Sequence, residues 1–263
     1  MSRVCVSGSA GRMGRAIVSL LKEEGVELGA ALEYEGHALL GTDAGVLAGV
    51  DAIGLALTAD AVAAVAASDV VIDFSAPANT MRLLDLCIKA KKGLVIGTTG
   101  LSDEQKTTIL KAGASIPVLL SPNMAVGVNA LFALVEQAAK MMRDGFDVEI
   151  SEIHHHFKKD APSGTAVRLK DIVRDAHATD ESQIVYGREG IVGERQTGEI
   201  GVHALRGGDV VGEHTVYFFA DGERIELTHR ATSRIIFARG ALRAAKFLSG
   251  KPPGSYNMMD VLR

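Results

Sequence analysis

The stretch Arg3-Val4-Cys5-Val6-Ser7-Gly8-Ser9-Ala10-Gly11-Arg12-Met13-Gly14 decides the fold. A short apolar run enters a glycine turn, and beyond it Met13, Ile17, Leu20 and Leu21 recur at helical spacing. Strand, glycine turn and helix in that order open a Rossmann-like parallel-sheet domain. Gly8 permits the tight turn, Gly11 lets backbone approach a pyrophosphate, and Gly14 lets the helix pack closely on the strand. The spacing Gly-x-x-Gly-x-x-Gly varies the commoner fingerprint, and glycine turns also precede helices that bind no nucleotide.

Working outward, Val26 to Leu32 forms a second strand that ends at Glu33. A carboxylate there can accept hydrogen bonds from both ribose hydroxyls of an adenosine, although a solvated strand-end acid has the same sequence. Tyr34 and Glu35 follow, so no adjacent cation awaits a 2'-phosphate. Helical sequence at 61–67 and 79–91 then alternates with strands at 70–74, 94–96 and 118–120, and Ser102 with Gln105 makes a capping box for a further helix. Ligands of such sheets bind at the carboxyl ends of strands. The Gly8 turn, Glu33, Gly97-Thr98-Thr99 and Ser121-Pro122-Asn123 all fall at such ends and could line one cofactor groove.

After Met124 the pattern changes. A helix at 129–142 precedes a strand through Val148 and Ile150, and a helix starts near Thr165. Three runs follow, Ile200 to Leu205, His214 to Ala220 and Arg224 to Thr228, separated by Gly207-Gly208-Asp209 and Asp221-Gly222. They are expected as antiparallel strands. The fold class is therefore α/β: an N-terminal Rossmann-like parallel-sheet domain with a second α+β domain built on an open mixed sheet, one face of which needs covering by another subunit. A last helix, about 233–248, returns to the first domain. The expected division is 1–124 and 234–263 for dinucleotide binding, and 125–233 for substrate binding and oligomerisation.

The chemistry concentrates in Glu152 to Ala166, Glu-Ile-His-His-His-Phe-Lys-Lys-Asp-Ala-Pro-Ser-Gly-Thr-Ala. If the strand persists through the histidines, His154 and His156 face one side and His155 the other. Pro162, Ser163 and Gly164 break the chain before a helix whose first amides, around Gly164 and Thr165, sit at the positive end of its dipole. A carboxylate there is worth about 0.3–1 kcal/mol, so Lys158 or Lys159 must add charge complementarity. Taken alone, the His triplet reads first as solvated surface, second as a zinc site and third as acid catalysis. Its continuity with two lysines and a helix start, downstream of a nucleotide domain, asks for a small acidic substrate.

Composition narrows the partners. With 263 residues, 47% apolar, a net charge of -4 and no basic block, the chain offers no general nucleic-acid or membrane surface. Two cysteines suggest no disulfide framework and fit a reducing cytoplasm. No apolar run is long enough to span a bilayer, and no export leader is expected.

Gly8 to Gly14, Gly97-Thr98-Thr99-Gly100, Ser121-Pro122-Asn123, His154-His155 with Lys158, and Asp160-Ala-Pro-Ser-Gly-Thr-Ala166 together resemble the 4-hydroxy-tetrahydrodipicolinate reductase family, formerly dihydrodipicolinate reductase, of bacterial lysine and diaminopimelate synthesis. The resemblance spans nearly the whole chain, including Gly212-Glu213-His214-Thr215. It implies a homotetramer that reduces a small cyclic dicarboxylic imine with NADH or NADPH, hydride going to ring C4 as the hydroxyl leaves as water. It assigns proton transfer to His154 and Lys158, and substrate contact to His155, Gly164 and Thr165. Cofactor contact falls to Gly8, Ser9, Ala10, Gly11, Arg12, Met13, Glu33, Gly97, Thr98, Thr99, Ser121, Pro122, Asn123 and Met124. No metal is implied. Many relatives carry a basic residue where this chain has Tyr34, so NADH is the expected preference, with Arg12 or Arg15 left to serve NADPH. The rivals are a zinc hydrolase using His154 and His156, which lacks an obvious third ligand, and a non-catalytic dinucleotide sensor, which leaves the His and Lys cluster idle.

Overall fold

The computed structural model describes residues 2–263. In chain order the elements are β1 (Arg3–Ser7), α1 (Arg12–Glu24), β2 (Glu27–Leu32), α2 (Ala44–Ala48), β3 (Leu57–Thr58), α3 (Ala61–Ala66), β4 (Val70–Asp73), α4 (Pro77–Ala90), β5 (Gly93–Ile96), α5 (Asp103–Lys111) and β6 (Pro117–Leu120). Then come α6 (Val126–Met141), β7 (Asp147–His154), α7 (Gly164–His177), β8 (Ile184–Tyr186), β9 (Ile200–Arg206), β10 (Gly212–Ala220), β11 (Glu223–Ala231), α8 (Ile235–Leu248), β12 (Gly254–Tyr256) and α9 (Met258–Leu262). They form two compact units, residues 2–126 with 235–263, and residues 127–234.

The first unit is a seven-stranded sheet in the order β12-β6-β5-β4-β1-β2-β3, every pairing parallel. A parallel sheet must be covered on both faces, and successive residues of β1 supply both. Val4 and Val6 join Ile17 and Leu21 of α1 with Ala241 and Leu242 of α8, while Cys5 joins Val65 of α3, Leu84 and Cys87 of α4 and Ile109 of α5. The chain runs outward from β1 through β2 to β3 and then returns to β4 on the other side of β1. That reversal opens a crevice at the ends of β1 and β4, the topological switch point. β12, only three residues long, was not legible as a strand; it extends the sheet beside β6.

The second unit is a five-stranded mixed sheet, β11-β10-β7-β9-β8. Along β7 the residues alternate, and Val148, Ile150, Glu152 and His154 point inward. Val148 and Ile150 bury against Leu131 and Val135 of α6 and Leu169 and Val173 of α7. The hairpin expected at Asp221-Gly222 is present, with Gly222 at φ +87°. One expectation needs correction. β9 is not antiparallel to its neighbours; it runs parallel to both β7 and β8, and β7 lies between β9 and β10. Alternation of side chains records which face a residue takes and not which strand becomes the neighbour. β7 also ends at His154, so the two-sided arrangement that depended on a longer strand does not arise. The chain turns instead, with His155 N–H donating to the Val210 carbonyl (2.8 Å) and Lys158 N–H to the His155 carbonyl (3.1 Å).

Candidate active site

In the first unit the groove is built from backbone. Gly8 sits at φ +75°, and a Cβ there would lie 2.8 Å from the Phe74 carbonyl oxygen. Gly14 is required by the turn and not, as its spacing suggests, by the strand: its Cβ would stand 2.2 Å from Gly8 O and 2.5 Å from Ser9 Cα. Gly11 is the N-cap of α1 in extended conformation. Gly97 lies under the Phe74 ring, which a Cβ would meet at 2.2 Å. Glu33 accepts from Ala10 N–H at 2.9 Å, which fixes its carboxylate against the turn before any ribose arrives. Arg15 Nε–H is spent on the Ala10 carbonyl (2.8 Å), whereas Arg12 is exposed.

Several of the expected cofactor residues can offer only backbone. Ser9 is buried and its hydroxyl donates to the Val6 carbonyl (2.6 Å). Thr98 is buried and donates to Asp73 Oδ2 (3.0 Å), a carboxylate that also receives the Ser75 hydroxyl (2.6 Å) and the Thr80 hydroxyl (2.5 Å). This fully buried Asp73 ties together the loops after β4 and β5. Thr99 and Pro122 are exposed. Ser121 donates to the Asn123 carbonyl (2.8 Å), Asn123 Oδ1 accepts from Ala125 N–H (2.9 Å), and Met124 is buried. A dinucleotide fits this frame. The first turn of α1 carries no acidic residue to compete with a pyrophosphate, and glycines stand where side chains would fill the turn.

In the second unit the site grows from the end of β7. Glu152 is fully buried and accepts from Arg206 Nη1–H (2.9 Å), Arg206 Nη2–H (2.8 Å) and Ser163 N–H (3.0 Å), with His154 Nδ1 also against Oε2. Burial alone would raise its pKa, but the bonds from Arg206, His154 and Ser163 outweigh burial and hold the carboxyl below its ordinary range. Burial pushes His154 down, and Glu152 only partly offsets this. Ser163 caps α7 by accepting from Ala166 N–H (3.2 Å), and its hydroxyl also bonds His214 Nε2 (2.9 Å). His214 is buried edge-on to His154, with ring centroids 5.2 Å apart, and burial takes its pKa down to about 4.

Lys158 reaches both oxygens of Asp160 at 2.8 Å, and its ammonium holds the Asp160 carboxyl below the usual range. His155 Nε2 lies 3.2 Å from Arg234 Nη2. A guanidinium only donates, so Nε2 accepts and the ring proton sits on Nδ1, which is buried without a partner. A Cβ at Gly164 would meet nothing within 4 Å, so the start of α7 opens onto free space. Thus His154, His155, Lys158, Gly164 and Thr165 lie on one strand-end, turn and helix-start segment of this unit.

Glu152, Asp160, Ser163, Arg206 and His214 were given no role from the sequence. Their pairings span up to 54 residues, which no local pattern records. His156 packs against Phe157 with the rings tilted and their centroids 3.8 Å apart. Among the described residues no group of three or more His, Cys, Asp or Glu side chains is placed to hold a metal ion, and no helix is long and apolar enough to cross a membrane.

A glycine turn at the switch point of a parallel sheet, followed by a carboxylate at the end of the next strand, places the first unit in the class of Rossmann-like dinucleotide-binding domains. The family model described as "Dihydrodipicolinate reductase, N-terminus" matches residues 2–124, and "Dihydrodipicolinate reductase, C-terminus" matches residues 127–262. The chain belongs to the dihydrodipicolinate reductase family. A 4-hydroxy-tetrahydrodipicolinate reductase of Anaeromyxobacter sp. (strain Fw109-5) is 55% identical over 100% of this chain and 98% of its own. Another, of Syntrophotalea carbinolica, is 51% identical over 100% and 99%. A solved dipicolinate-bound dihydrodipicolinate reductase from Paenisporosarcina sp. TG-14 shares the fold with a TM-score of 0.79 at 22% identity, covering 100% of each chain.

Proposed function

We propose that the protein reduces 4-hydroxy-tetrahydrodipicolinate to tetrahydrodipicolinate, with loss of water, in lysine and diaminopimelate biosynthesis. One observation carries the assignment: between His154 and Thr165 a single segment gathers an ammonium, two oriented imidazoles and a helix N-terminus, the complement of a small dicarboxylic imine. In this assignment residues 1–124 and 234–263 hold the dinucleotide and residues 125–233 hold substrate and assemble the homotetramer. Unit 2 supports the assembly by burying one face of its sheet under α6 and α7 while the other carries Tyr217 stacked on Phe219, 5.6 Å apart.

The bound dihydronicotinamide supplies the hydride that goes to ring C4. The chain's own residues do the rest. Gly8 to Met13 and α1 take the pyrophosphate, Glu33 the ribose, and Gly97 to Thr99 with Ser121 to Met124 line the groove. The Gly164 and Thr165 amides and His155 receive the substrate carboxylates. Lys158, released from Asp160, donates the one proton the reaction consumes as the hydroxyl leaves as water; positioned acid catalysis of this kind contributes ~100- to 10,000-fold. His154 is its partner in proton transfer. NADH is preferred, because a 2'-phosphate would meet Glu33 and an exposed Tyr34 ring packed edge-on to His37, with Arg15 already engaged.

The test is NADH oxidation with freshly generated hydroxy-tetrahydrodipicolinate, repeated with NADPH and with pyridine-2,6-dicarboxylate as competitor. Dicarboxylate-sensitive turnover with a higher kcat/KM for NADH is expected. Dinucleotide binding with no turnover would favour a sensor, and equal kcat/KM values would defeat the argument from Tyr34.

A further inference from the structure

We propose that Glu152 and Arg206 are positioning residues that hold His154 as the neutral Nδ1–H tautomer, so that its Nε2 is a hydrogen-bond acceptor and Lys158 alone carries the transferable proton. The catalytic meaning of this division rests on the reductase assignment; the tautomer itself does not.

The geometry allows one proton pattern. Arg206 and the Ser163 N–H can only donate, and between them they meet both oxygens of Glu152. The fully buried carboxylate is therefore an acceptor throughout, and the His154 atom facing it must bear a proton. That places the ring proton on Nδ1. Arg206 is itself immobilised, since Nη2 also donates to the Asp160 carbonyl (2.7 Å) and Nη1 to the Leu205 carbonyl (2.7 Å). Because its guanidinium already balances the carboxylate, no imidazolium is needed for that purpose.

A second proton, on Nε2, is opposed by burial and by the cations packed around the ring, against the single favourable charge of Glu152. The charged and titratable neighbours are Arg206 on β9, Lys158 on the turn and His214 on β10, with Glu152 on β7 as the single anion. The segment's other carboxylate, Asp160, is held through both oxygens by Lys158. Burial acts in the same direction and lowers the pKa of His154. Gly212 completes the arrangement: a Cβ there would stand 2.9 Å from His154 Nε2, so only glycine leaves that edge of the ring clear. A neutral Nε2 can accept from the Lys158 ammonium or from a substrate N–H or O–H, and so aligns the proton that Lys158 gives up.

The experiment is a two-bond proton–nitrogen correlation spectrum of the full chain labelled with 15N-histidine, at about neutral pH, where an unperturbed imidazole is mostly neutral. The His154 signals are assigned by their loss in His154→Gln. A protonated Nδ1 with a bare Nε2 is expected in the wild type. In Glu152→Gln the carboxamide NH2 must face Arg206 together with either His154 or Ser163, so the tautomers should mix and kcat should fall about 10- to 100-fold with little change in KM for NADH. An Nε2–H tautomer or an imidazolium in the wild type would overturn the proposal, as would an unchanged tautomer in Glu152→Gln. If that variant does not fold, the wild-type spectrum decides. Absence of wild-type turnover would overturn the reductase assignment and leave the spectrum to judge the tautomer.

Discussion

His214 makes the stability of the second unit depend on pH in a direction that the structure fixes. It lies on β10, 4% exposed, with Nε2 on the Ser163 hydroxyl and Nδ1 buried without a partner. Burial lowers its pKa from the usual 6.5 to about 4, and the nearby His154 adds to the effect. The folded state therefore resists a proton that the unfolded chain accepts. Stability from this residue is present above about pH 6.5 and is lost as pH falls toward about 4, because the unfolded state then binds more protons. At about pH 5 the unfolded imidazole is almost wholly protonated and the folded one almost not, which amounts to about 2 kcal/mol lost relative to neutral pH. The variant His214→Gln keeps a hydrogen-bonding group beside Ser163 and removes the titration. Native-state hydrogen exchange of β7 and β10 peptides against urea, at about pH 7.5 and about pH 5, reports this unit by itself. Wild type should lose about 2 kcal/mol more than His214→Gln between the two conditions. Equal losses, within the ~0.5 kcal/mol expected of independent sites, would refute the reasoning.

Two further outcomes follow, one in each unit. Lys158→Met should abolish most turnover while NADH binding, measured by calorimetry, stays intact; near-normal turnover would remove Lys158 from the mechanism. Gly14→Ala should weaken NADH binding, since the new Cβ would stand 2.2 Å from Gly8 O and 2.5 Å from Ser9 Cα, and both are backbone that must move. Overpacking costs of about 1–3 kcal/mol correspond to about 5- to 150-fold in Kd, and an unchanged Kd would show that the turn adapts freely.

The sequence by itself determined what depends on neighbours along the chain. The run from Arg3 to Gly14 specified strand, turn and helix because glycine conformations and helical spacing are local properties. Ser102 with Gln105 marked a helix start for the same reason, since a cap and its amide lie three residues apart. The segment from His154 to Thr165 was legible as chemistry because its groups are consecutive.

Tertiary structure alone decided what those groups face. The alternation in Ile200 to Arg206 was visible, yet its parallel pairing with β7 was not, and that pairing is what sets Arg206 opposite His154 and within reach of Glu152. Antiparallel pairing of β10 likewise brings His214 opposite Glu152 and against Ser163, 51 residues away. The same holds in the first unit, where Asp73 gathers Ser75, Thr80 and Thr98 from three successive segments. Local propensity cannot encode such contacts, because which distant group satisfies a buried charge is settled only when strands choose their neighbours and water is excluded.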